Sequence, residues 1–188
     1  MIDNCPITIG IDIAYRRDSS AVVAVGRHPE GNYYFRRGHR IWMPPVHIPD
    51  VTDFVLKVVA RERVVGIFYD PFQYVGESQR LIDAGYEQLI HEVNQYAHSV
   101  EFSNCLHVTF QRGDYRAYTD AQIAGQYQWT NAEASERGWR IVKRKQTRQI
   151  DVVVAEAMAL WGAMDNYDHM ISEAYDEEQH AQNLEDLP

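Results

Sequence analysis

Residues 7–26 read ITIGIDIAYRRDSSAVVAVG, and this stretch decides the fold. In ITIGIDIA (7–14), Ile7, Ile9, Ile11 and Ile13 alternate with Thr8, Gly10, Asp12 and Ala14. A period of two with β-branched residues on one side predicts a strand. YRRD (15–18) reads as a turn and SAVVAVG (20–26) as a second strand. NYYFRRGHRIWM (32–43), after the turn HPEGN, reads as a third. The three form an antiparallel meander, which Pro44 and Pro45 close.

Downstream the period lengthens. In 48–63, Val51, Phe54, Val55, Val58 and Val59 share one helical face. VVGIFYD (64–70) is an apolar strand ending in a carboxylate. Residues 77–85 predict a short helix closed by Gly85, and 86–94 a further strand. Residues 95–150 give a weaker signal: 117–137 looks helical and GWRIVKRKQ (138–146) strand-like. TRQIDVVVAEAMALWGAM (147–164) is a strong helix. A meander followed by helix-crossed parallel strands implies an α/β fold, a mixed sheet with helices on both faces. That is the ribonuclease-H-like arrangement.

The 188 residues suit one domain, and a hydrophobic content of 45% is enough for a core. No apolar run approaches the roughly 18–20 residues that cross a bilayer, and no basic segment precedes an apolar one at the N-terminus. A cytoplasmic place with no membrane partner is expected. Cys5 and Cys105 lie far apart, which argues against a disulfide framework or a zinc site. The net charge of −9 is unevenly spread: 165–188 holds eight of the 27 acids and none of the 18 basic residues. The body, 1–166, is expected to be the folded domain. Residues 167–188 are expected to be an acidic, mobile tail.

Three carboxylates stand out. Asp12 lies inside a strand, where Asp is disfavoured. Asp70 ends the first strand after the meander, and Asp151 opens the last helix. Strand ends at a change of connection form the functional crevice of an α/β sheet. Gathered carboxylates repel one another and raise each other's pKa, and a hard divalent ion relieves this. Each has a structural alternative: Asp70 before Pro71 can start a turn, and Asp151 can favour a helix N-terminus. Asp18 either approaches the metal or caps a turn. Glu156 is five residues past Asp151, about 140° round the helix, and is expected to pack against a basic partner or face solvent. Lys143, Arg144, Lys145 and Arg148, with Arg16 and Arg17, read either as phosphate contacts or as a solvated edge.

GIDIAYRRDSSAVVAVG (10–26) resembles the first hairpin of the C-terminal nuclease of phage terminase large subunits. VVGIFYDPFQ (64–73) is similar to their second motif, an apolar strand ending in Asp-Pro. RGWRIVKRKQTRQIDVVVAEAMAL (137–160) is similar to their last, a basic stretch, Ile-Asp and an Ala-rich helix. The likeness covers about residues 5–165. It implies a metal-dependent endonuclease that cleaves double-stranded DNA with two Mg²⁺ or Mn²⁺ ions. It also implies Asp12, Asp70 and Asp151 as ligands, with Asp18 as a further metal contact. The partners implied are an ATPase motor domain, a portal and a small terminase subunit.

Two departures stand out. Glu156 occupies an expected apolar position, and no GxxxxGK[ST] phosphate loop is present. The chain is therefore expected to be either a domain of a longer protein or a free-standing relative. A junction resolvase fits the first motif too, as does an actin-like ATPase. A transposase-like nuclease shares the fold and metals but wants a final Glu on a helix, where Glu156 is the candidate and Asp151 fits better. The actin-like ATPase needs a second glycine-rich loop and about twice this length. A non-catalytic docking domain is the remaining alternative, and a test for metal-dependent nicking of plasmid DNA separates it from the nucleases.

Overall fold

The computed structural model describes residues 5–14, 18–28, 32–145 and 147–165. Arg16, Arg17 and the acidic tail lie outside them. Strands β1 (Ile7–Asp12), β2 (Ser20–Arg27) and β3 (Tyr34–Trp42) form the expected antiparallel meander. Helix α1 (Ile48–Val59) leads to β4 (Val64–Tyr69), which pairs parallel with β1. Helix α2 (Pro71–Asp83) and a 3₁₀ turn (Glu87–Leu89) lead to β5 (Ile90–Glu92), parallel to β4. Then follow α3 (Gln95–Arg112), a two-residue strand β6 (Tyr115–Arg116) and α4 (Ala121–Gln128). A hairpin of β7 (Thr130–Ser135) and β8 (Gly138–Lys143) precedes α5 (Asp151–Asp165). The main sheet has the order β5-β4-β1-β2-β3-β6, and the hairpin is a separate two-stranded sheet.

The alternation in β1 and β2 sorts the core. Ile7, Ile9, Ile11, Val22 and Ala24 pack with Val51 and Val55 of α1 and Tyr74 and Leu81 of α2. Ala21, Val23 and Val25 face the other way, onto α3, α4 and α5. On that second face β1 offers only Thr8, Gly10 and Asp12, and α5 comes close. A Cβ on Gly10 would stand 1.9 Å from the Ala155 carbonyl oxygen, and the Thr8 hydroxyl donates to the Ala159 carbonyl at 2.7 Å.

Several boundaries differ from the sequence expectation. The helix expected at 77–85 starts at Pro71, because Pro fits the first helical position and Asp70 caps it. The strand expected over 86–94 shrinks to Ile90–Glu92. The helix expected over 117–137 ends at Gln128, and Thr130–Ser135 instead pairs with β8. The long α3 falls in the stretch that sequence left unassigned. Its buried positions include Ser103 and Thr109, which blur an apolar stripe.

Glu156 is fully buried on α5 and meets a basic partner. Arg36 of β3 donates two hydrogen bonds to its carboxylate, at 2.7 and 2.8 Å. The hydroxyls of Tyr127 (2.8 Å) and Tyr115 donate to the same group. Removing one partner of such a pair strands a buried charge and costs about 3–5 kcal/mol, whereas replacing both by apolar groups is often near neutral. Chemical denaturation should therefore find Arg36→Met about 3–5 kcal/mol less stable than the parent. The double variant Arg36→Met/Glu156→Met should recover part of that loss. Additive losses would show that the pair is not coupled.

Candidate metal centre

Asp12 is the last residue of β1, and Asp70 follows β4 directly. These strands pair in parallel with Ile11 opposite Tyr69, so Asp12 and Asp70 stand at the same end of neighbouring strands. Asp151 is the first residue of α5, the helix laid across β1 and β2. Ser19, just before β2, donates its hydroxyl to Asp151 Oδ2. Lys143, the last residue of β8, donates to Asp18 Oδ2 at 2.9 Å. Four acids and one ammonium are thus brought to one end of the molecule by β1, β4, α5, the turn before β2 and the hairpin.

Electrostatics ties these groups together. The Asp12 carboxyl is pushed up to about 8, first by burial and next by the Asp151 charge, with a smaller push from Asp70. The hydrogen bond from Gln95 and the Lys143 charge act the other way. Asp151 is also raised, by burial and by Asp18, against the Ser19 hydrogen bond and Lys143. This mutual repulsion is what a hard cation relieves. As the side chains stand, each acid is engaged separately. Gln95 donates its amide to Asp12 Oδ1 at 2.9 Å, and the Phe72 backbone N–H donates to Asp70 Oδ1 at 3.0 Å. Among the described residues no three His, Cys, Asp or Glu side chains are grouped tightly enough to hold one ion. The charges that raise Asp12 belong to the carboxylates of Asp151 and Asp70, and oxygen ligands of this kind are what Mg²⁺ and Mn²⁺ prefer.

Sequence reasoning missed Gln95 and Ser19. Neither carries a periodic signal, and they reach their acids across 83 and 132 residues of chain. The basic run does not present one uniform patch. Lys143 turns inward to Asp18, and Arg144 donates to the Thr130 carbonyl (3.2 Å) and Asn131 Oδ1 (3.1 Å). Lys145 and Arg148 are exposed and lie over the Trp129 ring, 5.6 and 4.1 Å from its centroid. Glu156 is committed to Arg36 and stands apart from these acids.

The raised Asp12 carboxyl makes stability fall with pH. Between about 4 and about 8 the folded chain retains a proton that the unfolded chain has released. Its stabilising share is complete at the acid end of that window and gone above it. Asn at position 12 keeps an acceptor for Gln95 and removes the charge. In chelator, Asp12→Asn should melt higher than the parent near neutral pH, and its melting temperature should decline less across that window. Parallel melting curves for the two proteins would rule out the proposed repulsion.

No protein-family model and no curated protein matches the sequence. Solved structures do. The large terminase of bacteriophage HK97 aligns with a TM-score of 0.72 at 16% identity, over 87% of this chain and 40% of that one. The large terminase nuclease of thermophilic phage G20c with bound magnesium gives 0.65 at 13%, over 84% of this chain and 81% of that one. The g2p (large terminase) nuclease domain of bacteriophage SPP1 with bound Mn gives 0.58 at 16%, over 86% and 88%. The chain thus spans about two fifths of the HK97 protein and most of the isolated nuclease domains. With the mixed sheet and the crossing helix, this likeness shows that the chain shares the fold of these large terminase nuclease domains.

Proposed function

We propose that the chain is a metal-dependent endonuclease that hydrolyses phosphodiester bonds of duplex DNA, as the nuclease domain of a viral genome-packaging terminase. The observation that carries this reading is that Asp12, Asp70 and Asp151 stand at the ends of β1, β4 and α5, near enough for the Asp151 and Asp70 charges to add to burial in raising Asp12. Neighbours of the same fold bear the names of large terminase nucleases with bound magnesium or manganese.

Asp12, Asp70 and Asp151 would supply the oxygen ligands, and Asp18 would be a further metal contact, in place of its bond to Lys143. A pair of Mg²⁺ or Mn²⁺ ions would supply the positive charge that stabilises attacking and leaving oxygens in phosphodiester cleavage. Gln95 fixes one oxygen of Asp12, and Ser19 holds Oδ2 of Asp151; both orient the acids before an ion arrives. Lys143, freed from Asp18, contacts a phosphate, and Lys145 and Arg148 extend that contact along the DNA backbone. Arg144 belongs to the same run, and Arg16 and Arg17, which lie outside the described residues, are further proposed DNA contacts. An ATPase motor, a portal and a small terminase subunit are the proposed partners, in the cytoplasm of an infected cell. No helix among the described residues is long and apolar enough to cross a membrane.

Asp12→Asn and Asp70→Asn should each lower Mg²⁺- or Mn²⁺-dependent plasmid nicking by about 100-fold or more, which is about 2.7 kcal/mol of lost transition-state stabilisation. Both should remain folded by circular dichroism. Parent-like nicking in either variant sinks the assignment. Inactivity of the parent with either metal sinks the enzyme reading itself.

The backbone contacts have a separate measurement. Lys145 and Arg148 are the members to replace, because Lys143 and Arg144 are held by Asp18 and by the hairpin. In Lys145→Ala/Arg148→Ala, the slope of log affinity against log salt should become shallower by about 0.9 per lost contact, equally for any duplex sequence. An unchanged slope would return these residues to a solvated edge.

A further inference from the structure

Large aromatic side chains rarely stand free in water, and two do so here beside the acids. Phe72 is 85% exposed and Tyr96 is 96% exposed. The pattern within each helix explains why they face outward. Helix α2 buries Tyr74, Ser78 and Leu81, and Phe72 lies two positions, about 200°, from Tyr74. Helix α3 buries Phe102, Ser103, Leu106 and Thr109, and Tyr96 stands in its first turn, more than one turn before the buried positions begin. Neither ring therefore serves the core of its own helix.

Their places along the chain tie them to the metal centre. The Phe72 backbone N–H is the group that donates to Asp70. Tyr96 directly follows Gln95, whose amide donates to Asp12. The strands that lead into the two helices, β4 and β5, are parallel neighbours with Tyr69 opposite Glu92, and the Val93 N–H donates to the Tyr69 carbonyl at 2.8 Å. Helix α2 then covers one face of the sheet and α3 the other. The carboxylate edge thus lies where the two helices part, with one free ring rooted on each.

We propose that Phe72 and Tyr96 form an aromatic rim that stacks on unpaired or unstacked bases of the DNA strand engaged at the acidic edge. This rests on the nuclease reading and deepens it: the preferred substrate is DNA with locally open base pairs, not uniform duplex. Phosphates have no affinity for a bare phenyl ring, whereas every base presents a π-face to one. A protein partner could also cover these rings, but their attachment to the residues that touch Asp12 and Asp70 favours nucleic acid.

The test uses the full chain, in Ca²⁺ to hold DNA without turnover, with two fluorescent probes. One is a duplex carrying a central paired 2-aminopurine; the other is the same duplex with the bases around it mismatched into a small bubble. The parent should bind the bubble more tightly than the duplex. Phe72→Ala/Tyr96→Ala should weaken bubble binding about fivefold to hundredfold for each stacked base lost. Duplex binding, its salt slope and the melting temperature should not change, since both side chains are exposed. Tyr96→Phe alone should behave as the parent. Equal losses on both probes, or no loss on either, overturn the proposal; the second result assigns the rings to a protein partner. If the parent nicks plasmid in Mn²⁺ while the double variant keeps the parent's probe preference, only the rim fails. If the parent binds neither probe and nicks nothing, the nuclease reading fails with it.

Discussion

The close approach of α5 to β1 sets the geometry of everything else. Gly10 leaves no Cβ between the strand and the Ala155 carbonyl, and Thr8 donates to the Ala159 carbonyl one turn further along. Asp12 stands two residues beyond Gly10, and Asp151 stands one helical turn before Ala155. The contact that seals the core therefore also sets the spacing of the two acids. A side chain at position 10 would lift the helix and part the carboxylates together. The same packing brings like charges to a partly dry sheet edge, where burial and repulsion raise them. Such a cost at one place, within a sheet otherwise consistent in pattern and packing, is what a working site produces.

Glu156 supplies what the Gly10 contact lacks. Helix α5 is apolar nearly all round: Val152, Val153, Ala155, Ala157, Met158, Ala159 and Leu160 are all buried. Such a helix has little to fix its rotation about its own axis. Glu156 does so, by answering Arg36 on β3, Tyr115 on β6 and Tyr127 on α4. A buried charge is a poor source of net stability but a good source of register. Here it ties the far edge of the sheet to the helix that begins with Asp151. The apolar residue expected at 156 would have filled the same space without choosing an orientation.

What could be read in the sequence follows from where the information lies. The meander and β4 were legible because period two and β-branched content are local, and α5 because its apolar run is long. Asp12, Asp70 and Asp151 were visible because each breaks or bounds such a pattern. Helix α3 was not, because it buries Ser103 and Thr109 among its apolar positions and packs on elements far away in sequence. The segment 130–135 reads as helix from its Ala and Glu, yet it is a strand because β8 pairs with it and the Ser103 hydroxyl accepts from the Ile141 N–H. Tertiary pairing there overrides propensity. The supports of the acids, Gln95 and Ser19, were invisible for the same reason: their meaning exists only across the folded sheet.

The charge at this edge also orders events. Of the five groups that face one another, four are carboxyls and one is the Lys143 ammonium. Without added cations the edge is acidic even with Asp12 protonated, and it repels the phosphates it is proposed to cleave. Lys143 reduces that charge by one unit and is itself engaged by Asp18. In the proposed reading, Asp12, Asp70, Asp151 and Asp18 would hold divalent ions whose charge offsets their own, and Lys143 would then be free to meet a phosphate. Metal binding then comes before productive DNA binding. Affinity measured in chelator would report only contacts away from the acids, such as Lys145 and Arg148.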